Sequence, residues 1–151
     1  MQRELEQQLK NSFPQLFVEM YGDPMVTCMA RGCECEDGWF GLIQQLSEGI
    51  AEELRQHPDP AFRFEQVKEK FGSLEVYVKP RTNERIVAIL REAEVKSKTT
   101  CELCGAEGSE LYQLPPSRFQ TLCKSCSSKS GGKPFSFNRP QKIAETPDGA
   151  K

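Results

Sequence analysis

The sequence predicts an α+β fold closed at its C-terminal end by a small metal-clamped module. Three patterns carry that expectation: apolar residues at helical spacing over 39–54, a run of period two over 62–79, and two Cys-x2-Cys pairs further on. The chain has 151 residues, of which 37% are apolar. That is enough for one core, and at this size an additional staple is expected to support it.

In chain order, residues 2–12 form a short amphipathic helix, with Leu5 and Leu9 four apart among polar residues. Phe13-Pro14 interrupts it, and Leu16, Phe17, Val18 and Met20 follow as a second apolar segment. Asp37 is a candidate N-cap for a helix over 38–56, whose stripe is Trp39, Leu42, Ile43, Leu46, Ile50 and Leu54. Trp39 therefore belongs to the core. Pro58 and Pro60 end this helix, and His57 is a helix-end residue meeting free carbonyls. A β-hairpin spans about 62–79, with Leu74, Val76 and Val78 alternating and Gly72 at the turn. Thr82 or Asn83 caps a third helix over 83–98. Residues 1–100 thus read as an α+β domain of helices on a small antiparallel sheet, 101–129 as a cysteine module, and 130–151 as a flexible tail. The tail's apolar anchors are Phe135, Phe137 and Ile143.

Cys101, Cys104, Cys123 and Cys126 form two knuckles separated by 18 residues, the spacing that presents four thiolates to one tetrahedral Zn²⁺. Gly105 supplies the permissive backbone behind the first knuckle. Leu111, Tyr112 and Leu114, with Phe119, Thr121 and Leu122, pair as two short strands around Pro115-Pro116. The module is a zinc ribbon, or a treble clef if residues 124–130 are helical. Four sulfur ligands close the site, so the single ion is structural and holds no catalytic water. Cys28, Cys33 and Cys35 lack a fourth ligand, since His57 lies at the far end of a long helix, and they read as packing thiols.

Charge is uneven. Residues 1–60 carry 4 basic against 11 acidic side chains, 61–98 carry 9 against 6, and 99–151 carry 7 against 5. This is not the footprint of a strongly basic nucleic-acid binder. It leaves one candidate recognition surface of Lys68, Lys70, Arg81, Lys124 and Lys129, whose bland counterpart is a solvated hairpin and helix. The acidic first section permits a mimic of nucleic acid or, more simply, a solvated face. No apolar run approaches the roughly 20 residues that cross a bilayer, and MQRELEQQLKNS is not a secretory leader, so the expected setting is a reducing cytoplasm with no membrane partner. Phosphate loops, dinucleotide fingerprints, zinc-protease helices, hydrolase serine elbows and the His-x-Glu element of nucleobase deaminases are all lacking from the sequence.

Gly38-Trp39, the segment QVKEKFGSL at 66–74, Ala93-Glu94, Ser97, TCELCG at 100–105 and TLCKSC at 121–126 together resemble a group of small proteins. These are the uncharacterised, zinc-ribbon-ended proteins encoded by tailed phages, prophages and their bacterial hosts. The likeness covers residues 37–128; Glu107 and Phe119 depart from it, where proline and tryptophan are usual. The finger alone is similar to that of the DksA/TraR regulators of RNA polymerase, whose long coiled-coil arm has no counterpart here. The resemblance implies a phage-type accessory protein of the bacterial host cytoplasm and implies no reaction. The expected role is a non-enzymatic, zinc-stabilised protein that binds a host protein, such as a host or anti-phage factor. The alternatives are a nucleic-acid-binding regulator and an enzyme whose pocket is built from dispersed Asp and Glu.

Overall fold

The computed structural model describes residues 1–80 and 83–137. Its elements are α1 (Arg3–Ser12), β1 (Cys33–Glu34), α2 (Phe40–Gln56), β2 (Arg63–Lys70), β3 (Ser73–Lys79), α3 (Glu84–Ser97), β4 (Glu110–Leu114), β5 (Arg118–Leu122), α4 (Lys124–Ser130) and β6 (Lys133–Pro134). Single 3-10 turns occupy Cys28–Arg31 and Asp37–Trp39. The strands form two sheets of three, ordered β1-β2-β3 and β5-β4-β6. The fold is α+β.

The apolar stripe of α2 is the spine of the first layer: Ile43, Leu46 and Ile50, with Trp39 just before the helix, are buried in one cluster with Phe62, with Phe64, Val67 and Leu74 from the first sheet and with Ile86 and Ala93 from α3. Residues 13–21 are not helical, yet they enter this core. Phe17 meets Phe64 edge-on at 5.0 Å between ring centroids, and the Phe64 amide donates to the Leu16 carbonyl at 2.9 Å. Asp37 does not cap α2. It lies inside the preceding 3-10 turn, and its Oδ1 accepts the Gln2 amide at 2.6 Å, tying α1 to α2 instead. Asn83 does cap α3, its Oδ1 accepting the amides of Arg85 and Ile86. His57 ends α2: its amide donates to the Glu53 carbonyl at 2.8 Å, and its Nδ1 lies 3.0 Å from the Glu53 carboxylate.

In the hairpin, Val67 pairs with Val76 and Glu69 with Leu74. The two turn residues, Phe71 and Gly72, both have positive φ (50° and 80°), the primed geometry that follows the twist of the flanking strands. The sheet is not wholly antiparallel as expected. β1 pairs with β2 in parallel, Cys33 opposite Val67 and Glu34 opposite Lys68. The chain reaches that position because buried Glu6 accepts the Cys33 amide at 2.7 Å, while the Tyr21 hydroxyl donates to its other oxygen.

Ser97 is fully buried at the C-terminal end of α3, where its Oγ accepts the Leu74 amide (2.8 Å) and donates to the Glu94 carbonyl (2.6 Å). Ser97→Ala leaves the Leu74 amide without an acceptor, and is expected to cost about 1–3 kcal/mol in a denaturant titration.

Residues 133–137, expected to belong to a flexible tail, are placed against the finger. Lys133 and Pro134 pair with Gln113 and Tyr112 on β4, and the Phe135 amide donates to the Leu111 carbonyl at 2.9 Å. Phe135 packs tilted against Phe119 with ring centroids 4.7 Å apart, and Phe137 meets Phe135 edge-on at 5.1 Å. Aromatic contact thus holds a stretch whose composition suggested no fixed place. Ile143 and the rest of 138–151 lie outside the described residues.

Candidate metal centre

The first knuckle follows α3 directly, and the second sits at the start of α4. Cys123 is the N-cap of α4 and Cys126 lies in its first turn, with the Cys126 amide 3.4 Å from the Cys123 sulfur. That amide lowers the Cys123 thiol to about 7. In the first knuckle, Gly105 (φ 77°) folds its amide back onto the Cys101 carbonyl at 2.8 Å, and the Cys101 amide reaches the Ala106 carbonyl at 2.8 Å. Knuckle, β4–β5 hairpin and α4 form a treble clef, which settles the choice left open between ribbon and clef.

The four sulfurs of Cys101, Cys104, Cys123 and Cys126 lie within 4.8 Å of one another and can hold a metal ion. The Cys104–Cys123 sulfur separation is 3.7 Å, close to the edge of about 3.8 Å that a tetrahedron with 2.3 Å metal–sulfur bonds requires. The donor set therefore fits one structural ion. Burial is graded around the cluster: Cys101 is inside, Cys104 exposed, and the second pair half-buried.

The cluster is joined to the α+β layer by hydrogen bonds from one side. Gly38 donates its amide to the Glu102 carbonyl at 2.8 Å, and the Trp39 indole donates to the Thr100 carbonyl at 2.8 Å. Glu102 lies between the two ligands of the first knuckle and is buried; its carboxylate accepts the Glu36 amide (3.1 Å) and the Gln120 side-chain amide (3.0 Å). Burial pushes the Glu102 carboxyl up to about 7. The hairpin tip makes the other joint, where the Thr121 hydroxyl donates to the Gly72 carbonyl at 2.6 Å. Gly38-Trp39, the 66–74 segment, Ser97 and both knuckles thus converge on one junction. Their common work is to fasten the finger to the fold.

The other sequence-level candidates do not join the cluster. Cys33 and Cys35 are buried in the main core and Cys28 is exposed; among the described residues only the four C-terminal cysteines group as metal ligands. Burial first, then the neighbouring Glu6 carboxylate, pushes the Cys33 thiol up to about 12, and burial also raises Cys35. In a native thiol-labelling experiment read by mass spectrometry, Cys28 is expected to react at once, and Cys33 and Cys35 only after unfolding.

Lys68 and Lys70 lie on β2, with Lys68 Nζ 5.2 Å above the Tyr77 ring and Lys70 Nζ 3.5 Å from Glu75. Lys124 and Lys129 are exposed on α4, a different element, and Arg81 lies outside the described residues. The acidic residues expected to build an enzyme pocket are not all in solvent. Glu34 accepts Gln66, Asp37 accepts Gln2, and Glu53 accepts Asn83. Sequence reasoning assigned no structural role to Glu6, Glu102 or Gly38, because their partners lie far along the chain.

Fold and site together define an α+β protein with a treble-clef finger whose four cysteines can hold a metal ion. Against family models, curated proteins and solved structures, the chain matches none. No helix among the described residues is long and apolar enough to cross a membrane.

Proposed function

We propose that this chain is a zinc-stabilised, non-enzymatic binding protein of the phage-accessory type that holds a host protein in the bacterial cytoplasm. The observation that carries the reading is the closed set of four sulfurs at the junction of the two layers. Four thiolates in tetrahedral array suit Zn²⁺ and leave no position for water, so the ion acts as a clamp. The junction hydrogen bonds through Gly38, Trp39 and Thr121 then make the finger and the first sheet one surface.

The test has two parts. Elemental analysis of reductively purified protein is expected to find one zinc per chain; a metal-free chain overturns the clamp. Capture from host lysate, with Cys101→Ser/Cys104→Ser as control, is expected to retain a host protein on wild type alone. Recovery of nucleic acid only, with binding that falls steeply as salt rises, would replace this reading with the nucleic-acid one.

A further inference from the structure

The four sulfurs of the cluster are not equally placed. Cys101 is fully buried, Cys123 and Cys126 are half-buried at the start of α4, and Cys104 stands in solvent. Leu103 beside it is exposed as well, so the outer corner of the first knuckle faces water. Across the cluster, the Cys123 sulfur lies 3.7 Å from that of Cys104. Cys101 is a poor partner for its neighbour, since its amide and carbonyl are both bonded within the knuckle and its side chain is enclosed.

A coordinated cysteine is held as thiolate, the form that reacts with oxidants, and reaction further requires access. Among the seven cysteines, Cys104 is the exposed one inside the cluster. Cys28 is exposed outside it, and Cys33 and Cys35 are enclosed in the main core. An accessible thiolate next to a second thiol is the arrangement of redox-responsive cysteines.

We propose that the cluster is a redox-sensitive clamp, in which Cys104 is the sulfur oxidised by a hydroperoxide and Cys123 is the sulfur that closes a disulfide with it. The claim rests on the zinc-clamp reading above and adds its regulation. First, the Cys104 thiolate attacks one peroxide oxygen; the O–O bond breaks, hydroxide leaves, and Cys104 carries a sulfenic acid. Second, the Cys123 thiolate attacks the Cys104 sulfur; an S–S bond forms, the S–O bond breaks, and a second hydroxide leaves. Two thiolates have then given two electrons to the peroxide, and two protons from solvent turn the hydroxides into water. The sulfurs close from 3.7 Å to about 2.0 Å, a displacement within reach of an exposed knuckle. Cys101 and Cys126 remain, two ligands where a structural site uses four. Metal affinity falls, and the finger's folding energy falls with it. A disulfide of this kind is transient in a reducing compartment, so thiol reductant and Zn²⁺ restore the clamp.

The test uses the full, zinc-loaded chain, freed of reductant and treated with hydrogen peroxide while a chromogenic chelator reads released zinc. One zinc is expected to leave per chain, in step with one Cys104–Cys123 disulfide found by non-reducing peptide mapping. A sulfenic-acid trap added early is expected to mark Cys104 before any other ligand. The oxidised chain is expected to lose capture of its host protein and to regain it with reductant and Zn²⁺. Cys104→His keeps four ligands without the attacked thiol, and is expected to slow release about tenfold or more. Cys28→Ser is expected to change neither rate nor product. Trapping and mapping need no substitution, so a variant that fails to fold does not blur the result.

Zinc retained under peroxide that fully oxidises Cys28 overturns the proposal. So does a disulfide joining any other pair, sulfenic acid first on Cys101, Cys123 or Cys126, or a zinc-loaded Cys104→His chain that releases as fast as wild type. Host capture undiminished after release overturns the control of binding. A chain that purifies without zinc would end the clamp reading itself, whereas a loaded chain that keeps its zinc ends this proposal alone. Release from a chain that captures no host protein even when reduced would end the host-protein reading and leave the redox chemistry standing.

Discussion

Chelating the metal from the reduced protein is expected to unfold residues 101–134 while the helical layer stays folded. The finger's own apolar core consists of Tyr112, Leu114 and Leu122 around Cys101. Segments of fewer than about 40 residues rarely hold together on such a core without a metal or disulfide, and no disulfide is present among the described cysteines. A structural Zn²⁺ contributes about 10–16 kcal/mol of apparent binding energy, larger than any other single interaction in this chain can supply. The reporter is built in. Trp39 is the one tryptophan, and its indole donates to the Thr100 carbonyl next to the first ligand. Loss of the ion should shift Trp39 emission to the red and collapse the amide spectrum of the finger, with most of the far-ultraviolet helix signal from α2 and α3 retained. Added Zn²⁺ should restore both, Cys123→Ser should mimic chelation, and Cys28→Ser should change neither. A finger that keeps its amide dispersion after chelation would refute the clamp.

A second large effect is expected from one methyl group. A Cβ on Gly38 would strike the Cys101 carbonyl, the Glu102 carbonyl and the Gly105 amide, all main-chain atoms of the first knuckle. Flexible side chains could yield to such a group; this backbone cannot move without displacing the ligands. Gly38→Ala is therefore expected to cost about 3 kcal/mol or more, at the upper end of overpacking penalties, and to weaken metal retention against a competing chelator. Gly41 is the matched control, three residues on, in α2, with nothing within 4 Å of its would-be Cβ. There the same substitution should stabilise by up to about 1 kcal/mol, because alanine is the better helix former. Equal effects at the two positions would show that the knuckle does not press on Gly38.

The readable parts of the sequence were those whose cause lies within a few residues. The α2 stripe repeats every three or four positions, and the hairpin alternates over a handful. The Cys-x2-Cys knuckles announce their ligands through spacing alone, and Asn83 caps the helix that begins beside it. Asp37 shows where such reasoning fails. It has the right chemistry for a cap, but a competing partner, the Gln2 amide, arrives from 35 residues away.

Tertiary structure alone decided the rest. The parallel pairing of β1 depends on a carboxylate 27 residues upstream, at Glu6. The docking of 133–137 depends on aromatic rings from β5 and on the backbone of β4. The need for glycine at 38 depends on a knuckle more than 60 residues later. Periodicity and ligand spacing are properties of neighbouring residues, fixed by the geometry of helix, strand and tight turn. A buried carboxylate, a docked aromatic ring or a forbidden methyl is a property of whatever the folded chain brings alongside, and no local pattern encodes it.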